Sequence, residues 1–418
     1  MPAYIEVSLS PDKGGSRRKG GVADEKDEYV DSGSERDGAT AAHRVDVLIP
    51  AFNVAATIDA AVRSILDQTV RDIRVIVVND GSTDATGALL DAMAKEDPRL
   101  LVLHQANGGI VEALNNGLAL CTAPIIARHD GDDLAYPDRF EKQLAYLDAH
   151  ADCIAVGANV RMIDGAGSYI DTSDFNRHPT GDAAWFPAKE PYVMHPLLMI
   201  RRDVLVGAGG YRYVFHAEDA DLYWRVLADG RLYNMPDVLA DYRVHTDSVS
   251  GASVLNGRIQ ALSSQLSALS ASRRKAGRED LSFPKEQIHA FKQAVTVDAM
   301  LAIVDPELDE AERRHLRLAT AAKMIELAFY RPYYLEPSDW SFVKTAYRRQ
   351  RDLFTPENAK DQRDRVMYYV AKMLSRRKVA NAFRTAPVTQ VVAAVHHIAK
   401  DKLVRLARRG APRAEQAA

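Results

Sequence analysis

The most reactive arrangement in the chain is a crowded acidic segment, Asp130-Gly131-Asp132-Asp133. It comes shortly after the apolar run at 124–127, so the carboxylates are expected where a buried strand ends and a helix begins. Crowded carboxylates repel one another, a cost that a divalent cation offsets, and their hard oxygen atoms suit Mg²⁺ or Mn²⁺. A solvated turn is the alternative, because Asp is a common turn residue. The surrounding elements favour a site for a metal ion and a diphosphate.

Four short apolar segments alternate with amphipathic helical patterns in the first part of the chain. Strands are predicted at residues 45–50, 73–78, 100–104 and 125–128. Between them, apolar residues recur at helical spacing, in groups that contain Ile58, Val62, Ile65 and Leu66, then Leu89, Leu90 and Met93, and then Ile110, Leu114, Leu118 and Cys121. Apolar strands that alternate with such helices predict βαβ units and a parallel sheet.

The polar residues that follow the predicted strands are expected to meet at one edge of the sheet. In an α/β sheet, ligands collect at the carboxyl ends of the parallel strands. The segments at that edge are residues 50–53 (Pro-Ala-Phe-Asn), 80–82 (Asp-Gly-Ser), 107–109 (Asn-Gly-Gly) and 130–132 (Asp-Gly-Asp). Their convergence indicates a ligand site more strongly than any one segment does.

Composition places the chain among globular proteins and excludes some classes of partner. With 418 residues it is long enough for more than one domain. Its 54 basic and 57 acidic residues create no overall basic field that would attract nucleic acid. Cys121 and Cys153 lack C-x-x-C spacing, which is typical of reduced core thiols in a cytoplasmic protein. No apolar run approaches the ~18–20 residues of a spanning helix, so we expect a cytoplasmic protein that at most lies on the inner face of the membrane.

The patterning divides the chain into three parts. Residues 1–43 are rich in Gly, Ser and charge, which predicts a disordered arm. Residues 44–252 carry the strand and helix pattern, and residues 253–418 carry long helical patterns. From Lys372 to the last residue there are eleven Lys and Arg residues and two acidic ones. The apolar residues of this tail share one helical face: Val388, Val391, Val392, Val395 and Ile398. The tail therefore suits either an anionic lipid surface or a solvated face.

Seven segments of residues 44–252 resemble the family 2 glycosyltransferases and occur in the family's order: VDVLIPAFN, VIVVNDGSTD, NGGIVEALNNGL, ARHDGDDLAYPDRF, HPLLMIRRDVL, GGYRYVFHAEDADLYWRVL and ADYRVHTDSVS. The resemblance implies an α/β fold with a mostly parallel, Rossmann-like type-A glycosyltransferase sheet and a helical C-terminal extension. It also implies inverting, metal-dependent transfer of a sugar from a nucleotide diphosphate donor, with UDP as the first candidate, to an acceptor hydroxyl. A cell-surface polysaccharide or a lipid-linked glycan is the expected product.

The expected contacts with the nucleotide sugar are Pro50, Phe52, Asn53, Asp80, Gly81, Asn107, Gly108 and Asp130. The Phe52 ring offers a surface for nucleobase stacking, unless it is a core side chain. Asp80 can accept the imide N–H of uracil or thymine, or cap a helix. Asn79 departs from the family's frequent Asp-Asp pair at this point. The backbone N–H groups of Asn107 and Gly108 suit an anionic ligand or a simple tight turn.

The resemblance assigns the metal site to three residues. It implies ribose and metal contacts for Asp130, and direct ligation of Mn²⁺ or Mg²⁺ for Asp132. His245 lies where related enzymes have a mobile loop over the donor, which implies a contact with the metal or the diphosphate. A hydrogen-bonded structural histidine is the alternative at that position.

The segment Glu218-Asp219 matches the family's Glu-Asp pair. That match makes Asp219 the general base, which takes a proton from the acceptor hydroxyl, and makes Glu218 a residue that positions the donor or the acceptor. Acidic residues at a helix start also serve as caps, and Asp221 is the neighbouring candidate for the base.

Two other functions fit a nucleotide-sugar site on an α/β sheet. A sugar nucleotidylyltransferase should carry a Gly-rich phosphate loop with a basic residue after its first strand, whereas this chain has Pro-Ala-Phe-Asn at 50–53. A non-catalytic protein that only binds nucleotide sugars would tolerate loss of the base, yet Asp132 and Asp219 are both present.

Overall fold

The structure is a computed structural model that describes residues 43–244, 253–331 and 333–375, together with residues 378, 391–392 and 394–396. Two predictions therefore fall outside the described residues. One is the disordered arm, of which only His43 is described, and the other is the role of His245.

One sheet carries the first part of the chain. Within the described residues its strands are β1 (Val45–Ala51), β2 (Ile73–Asp80), β3 (Leu100–Gln105), β4 (Ile125–Arg128), β5 (Leu134–Ala135), β6 (Cys153–Ile163), β7 (Tyr169–Thr172), β8 (Met199–Arg201) and β9 (Arg231–Arg243). Their order is β3-β2-β1-β4-β8-β6-β9-β5, and β7 pairs with β6. Strands β1 to β4 pair in parallel. Strand β8 is antiparallel to both β4 and β6, and β9 is parallel to β6. Strands β6 and β9 therefore run in the same direction as β1 to β4. The predicted mostly parallel α/β sheet is confirmed.

Helices connect the strands and then form a separate helical region. In the described part of the chain, the helices among the strands are α1 (Ile58–Leu66), α2 (Thr86–Glu96), α3 (Ile110–Leu120), α4 (Arg139–Ala149), α5 (Arg202–Gly207) and α6 (Glu218–Val226). The helical region contains α7 (Val254–Lys275), α8 (Gln287–Ala294), α9 (Val297–Val304), α10 (Glu310–Tyr330), α11 (Pro337–Arg349) and α12 (Pro356–Ser375). All four predicted strands and the three helices between them are present.

The two faces of the sheet bury different helices, as the alternation of side chains along a strand requires. Val47 and Ile49 of β1 belong to the cluster that contains α1, whereas Leu48 belongs to the cluster that contains α3. The predicted apolar face of α3 holds for Leu114, which is fully buried. It is wrong for Ile110, which is 43% exposed because it is the first helical residue, at the rim of the sheet.

The helical region has its own core. Apolar side chains of α7, α9, α10, α11 and α12 form one buried cluster, and α7 also packs against α6 of the sheet region. A capping box at the start of α10 joins Asp309 and Glu312, which satisfies backbone N–H groups that the helix leaves unpaired. The predicted helical extension is therefore packed onto the sheet region.

The basic tail is described at only a few positions. Val391 is buried in the helical core, while Val392 and Val395 are exposed, so these three valines do not share one apolar surface. Val388 and Ile398 lie outside the described residues. None of the helices that the structure describes combines the length and the apolar character that crossing a membrane requires.

We predict that Gly117→Ala destabilises the fold. An added Cβ would touch Leu48 Cδ1 and would lie 2.9 Å from Val78 Cγ2, so α3 would have to move away from the sheet. Overpacking of this kind costs ~1–3 kcal/mol, which outweighs the ~1 kcal/mol that Ala gains over Gly in a helix. Thermal unfolding should therefore show a lower Tm.

Gly207→Ala is the matched control, because Gly207 also lies in a helix but an added Cβ there meets nothing within 4 Å. Its Tm should be unchanged or higher. An equal loss of Tm in both variants would contradict the close packing of α3 on β1.

Candidate active site

The ends of β1, β2 and β4 are connected by short hydrogen bonds. The Asn53 N–H donates to Ser82 Oγ (3.0 Å), and Asn53 Oδ1 accepts from the Thr83 N–H (2.8 Å). The Thr57 hydroxyl donates to the Gly131 carbonyl over 3.0 Å. The segments that follow the three strands therefore lie together at one rim.

Asp80 connects this rim to the segment that precedes α3. Its buried carboxylate accepts from the N–H groups of Gly108 (2.7 Å) and Gly109 (2.9 Å) and from Gln105 Nε2 (2.8 Å). The Asn107 side chain donates to the Asp80 carbonyl. The N–H groups expected to face an anionic ligand thus face the Asp80 carboxylate here, and a nucleobase would have to share it with them.

Phe52 lies at the open side of the rim with 48% of its surface exposed. The alternative of a core side chain is therefore wrong, and the ring is free to stack. Pro50 lies one residue before the end of β1 and is half-buried. Gly81 has a φ of +70°, and a Cβ there would lie 2.6 Å from the Asn107 backbone N, so only glycine fits this close approach.

The acidic cluster follows β4. Carboxylate oxygens of Asp130, Asp132 and Asp133 lie within 4.8 Å of one another. Asp133 is fully buried; its Oδ1 accepts from the Arg243 N–H (2.8 Å), while its Oδ2 has no hydrogen-bond partner among the described residues. Burial, then the charges of Asp130 and Asp132, raise the pKa of Asp133 well above its ordinary value. A compact set of hard oxygen atoms with one unsatisfied acceptor fits Mg²⁺ or Mn²⁺.

Two buried basic residues lie beneath this cluster. Arg128, the last residue of β4, forms an ion pair with Asp130, and its Nε has no hydrogen-bond partner within the described chain. His129 is also buried; its Nδ1 contacts Arg139 Nη1 (3.3 Å), and burial lowers its pKa well below the ordinary value. A neutral, buried and hydrogen-bonded ring indicates a structural role for His129. Sequence reasoning missed Arg128, although an Arg that ends an apolar strand beside three aspartates was a signal for it.

The three acidic residues at the start of α6 have different surroundings. Asp221 is fully buried and accepts from Arg212 Nε (3.0 Å) and Arg225 Nε (2.8 Å). These two ion pairs neutralise its charge, so we assign Asp221 a structural role. Glu218 is buried, whereas Asp219 is half-buried and accepts from the Ala220 N–H (2.7 Å). Of the three, Asp219 combines partial access with a carboxylate that no arginine pairs within the described residues.

Burial perturbs both candidate acids in the same direction. Burial and then the charge of Asp219 raise the pKa of Glu218 to about 8. The pKa of Asp219 is raised by burial, an effect that the Ala220 N–H and Arg128 oppose. At neutral pH, Glu218 therefore carries a proton that it can donate in a hydrogen bond, and Asp219 is the more accessible of the two acids.

Buried phenol groups lie near these acids. His195 Nε2 and Tyr211 Oη lie 3.0 Å apart and both residues are buried. Burial and then Arg128 lower the pKa of His195 well below its ordinary value, so the ring is neutral. The Tyr223 hydroxyl is buried without a hydrogen-bond partner in the described part of the structure. Neither tyrosine was predicted from the sequence, because Tyr211 between α5 and α6 and Tyr223 within α6 resemble ordinary core residues there.

Comparisons with known proteins point to one family. The family model described as "Glycosyl transferase family 2" matches residues 46–207. The chain is 30% identical over 210 residues to the amylovoran biosynthesis glycosyltransferase AmsE of Erwinia amylovora, which covers 49% of this chain and 77% of that protein. It is 31% identical over 208 residues to the O-antigen biosynthesis glycosyltransferase WbnJ of Escherichia coli, which covers 49% of this chain and 81% of that protein.

Two solved structures are among those that match this chain. S. aureus TarS 1-349 in complex with UDP is 17% identical, with a TM-score of 0.44 and coverage of 80% of this chain and 92% of that one. The mannosyltransferase PcManGT from Pyrobaculum calidifontis in complex with GDP-Man and Mn²⁺ is 20% identical, with a TM-score of 0.43 and coverage of 74% and 88%. Both TM-scores lie below 0.5, so the family assignment depends on the sequence matches and the sheet.

The raised pKa of Glu218 predicts that the stability of the protein depends on pH. The unfolded Glu ionises near its ordinary pKa of 4.5, whereas the folded one keeps its proton to about pH 8. Stability should therefore fall as pH rises between these values, by at most ~1.4 kcal/mol per pH unit. Glu218→Gln removes this loss, so its Tm relative to the unsubstituted protein should rise steadily from pH 5 to pH 8.

Asp221→Asn provides the contrast, because it breaks two buried ion pairs and leaves arginines uncompensated. Its free energy of unfolding should fall by ~3–5 kcal/mol. If the Tm difference for Glu218→Gln were the same at every pH, the buried protonated carboxyl would be excluded.

Proposed function

This chain is a glycosyltransferase that belongs to glycosyl transferase family 2, and we propose that it is an inverting, metal-dependent enzyme that uses a nucleotide diphosphate sugar. One observation carries the proposal. The acidic cluster after β4 and the Glu218-Asp219 pair of α6 are connected electrostatically through the buried Arg128, whose charge lowers the pKa of both acids of the pair. This connection supports one site in which the acidic cluster would bind the leaving diphosphate and the pair would accept a proton.

The donor would bind at the rim formed by β1, β2 and α3. The exposed Phe52 ring suits stacking on a nucleobase, an interaction worth ~1–3 kcal/mol. Asp80 would accept the imide N–H of uracil, which makes UDP the first candidate. Asn53, Gly81 and Asn107 shape the backbone on either side of the base.

The acidic cluster would hold the diphosphate end of the donor. Asp130 and Asp132 would ligate Mn²⁺ or Mg²⁺, and Asp130 would also contact the ribose. When bound, the cation supplies positive charge that stabilises the leaving nucleotide diphosphate. The ion pair with Arg128 holds the Asp130 side chain in position. A contact from His245 remains a proposal from the family resemblance alone.

The transfer step would use the two acids of α6. Asp219 would take the proton of the acceptor hydroxyl as its oxygen forms a bond to the anomeric carbon. The bond from that carbon to the phosphate oxygen breaks at the same time, and the nucleotide diphosphate leaves from the opposite face, which inverts the configuration. Glu218, protonated at neutral pH, would donate a hydrogen bond that positions the donor or acceptor sugar.

The acceptor is proposed as a growing polysaccharide or a lipid-linked glycan. Support comes from the relatives, whose names place them in amylovoran and O-antigen biosynthesis. The two alternative functions do not fit this family. A nucleotidylyltransferase would belong elsewhere, and a protein that only binds nucleotide sugars would not need the pair of acids.

Asp132→Ala should abolish the metal dependence of UDP binding while the fold stays intact. Calorimetry should show tighter UDP binding with Mn²⁺ than with EDTA for the unsubstituted protein, and equal, weak binding under both conditions for the variant. Asp59→Ala is the control, since Asp59 is an exposed carboxylate that pairs with Arg63 on α1. UDP affinity that EDTA does not change, in a protein that still turns over its donor, would reject the metal role.

Asp219→Asn should lower the rate of transfer by the ~10²–10⁴-fold typical of a lost general base. UDP affinity should change little, because the base acts on the acceptor and not on the leaving group. Transfer rates and UDP affinities would be compared for Asp219→Asn and Glu218→Gln. A fully active Asp219→Asn enzyme would remove this residue from the mechanism, and a selective collapse in Glu218→Gln would move the role to Glu218.

Contact with an anionic membrane surface through the basic tail is a further part of the proposal. The eleven Lys and Arg residues after position 371 support it. Deletion of residues 380–418 should reduce sedimentation with phosphatidylserine vesicles but not with phosphatidylcholine vesicles. Equal sedimentation of the truncated and full-length chains would refute the contact.

A further inference from the structure

Lys323 is a buried cation in the middle of α10. Its side chain is 8% exposed, and its Nζ lies 3.0 Å from Glu190 Oε1 and 2.8 Å from Glu326 Oε1. Burial alone would lower the pKa of Lys323, but the two carboxylates raise it above the ordinary value, so the amine is charged. Burying a charge costs free energy unless the charge is paired. One of the two partners of Lys323, Glu190, lies outside the helical region.

Glu190 belongs to the loop between β7 and β8, and that loop is fixed from two sides. The Ala188 N–H donates to Gln265 Oε1 of α7 (3.0 Å), and Gln265 Nε2 donates to Glu190 (3.4 Å). Ala188 also packs against Trp224 of α6. The loop is thus held against α6, the helix whose first turn carries Asp219.

Charged groups from two other elements act on Asp219, in addition to its own helix. Glu190 from the loop raises the pKa of Asp219, and Arg128 from β4 lowers it. Glu218 is the neighbour on α6. The nearby phenol groups are Tyr192, Tyr211 and Tyr223. In this setting an unbalanced Glu190 carboxylate would work against ionisation of Asp219.

We propose that Lys323 is a positioning residue for the reaction: its ammonium group holds the Glu190 carboxylate and balances the charge that Glu190 places beside Asp219. The helical region would then set the charge state of the base without touching the substrate. The catalytic part of this inference rests on the proposed role of Asp219 as the base. The electrostatic connection itself can be measured without donor or acceptor.

The direct test is a titration of Asp219 in the full-length protein. Aspartate labelled with ¹³C at its carboxyl carbon is incorporated, and the Asp219 resonance is identified by its loss in Asp219→Asn. Lys323→Met should raise the pKa of Asp219 by about 1, and Glu190→Gln should lower it, as expected when a nearby charge is removed. The double variant, in which both charges are absent, should return close to the unsubstituted protein.

Arg273→Met is the matched control. Arg273 pairs with the buried Glu312 at the start of α10, about 16 Å along the helix from Lys323 at 1.5 Å per residue. It should lower Tm as Lys323→Met does, but leave the Asp219 titration unchanged. This contrast separates a general loss of stability from a specific effect on the base.

The outcomes are distinguishable. If Lys323→Met and Glu190→Gln both leave the Asp219 titration unchanged, the inference is wrong and Lys323 is structural. If Lys323→Met does not fold, Glu190→Gln alone still decides the sign of the effect. If the titrations shift as expected but Asp219→Asn remains active in transfer, the connection stands and the assignment of Asp219 as base fails.

Discussion

The structure of this site depends on one constraint, which is that several carboxylates must be held close together in a largely buried space. Arg128 meets part of that requirement. Its buried side chain pairs with Asp130, and its charge favours the ionised forms of Asp133, Glu218 and Asp219. One arginine does not neutralise all of these acids. Burial, and then the charges of neighbouring carboxylates, raise the pKa values of Asp133 and Glu218.

The local elements were predictable from the sequence because they depend on short-range patterns. Apolar runs of four to eight residues and helical spacing identified β1 to β4 and the helices between them. The rim also followed, since parallel strands place their carboxyl ends on one side. Ile110 was mispredicted because periodicity does not reveal that the first residue of a helix lies at the rim, where no neighbour covers it. Lys323 was missed for a different reason. Its partner Glu190 lies far away in sequence, and no local pattern marks a lysine as buried.

The pair Glu218-Asp219 shows where sequence reasoning ends. Successive residues of a helix point about 100° apart, so three acids in one turn enter three environments. Asp221 pairs with Arg212 and Arg225, Glu218 is buried, and Asp219 is only half-buried. The sequence supplied the three candidates, but only the packing of α6 distinguishes the paired Asp221 from the more accessible Asp219.

Ion pairs connect the two sides of the predicted boundary near residue 252. Among the described residues, three ion pairs cross it: Arg212 with Asp280, Lys285 with Glu112, and Lys323 with Glu190. Lys285 pairs with the first turn of α3, next to the expected donor site, and Lys323 pairs with the loop that packs against α6. Buried or partly buried pairs lose more than their own contact when one partner is removed, because the remaining charge is left without compensation. The helical region is therefore joined to the sheet region by charged contacts as well as by its apolar core. Under the proposal made for Lys323, it would influence the chemistry through charge rather than through contact with the substrate.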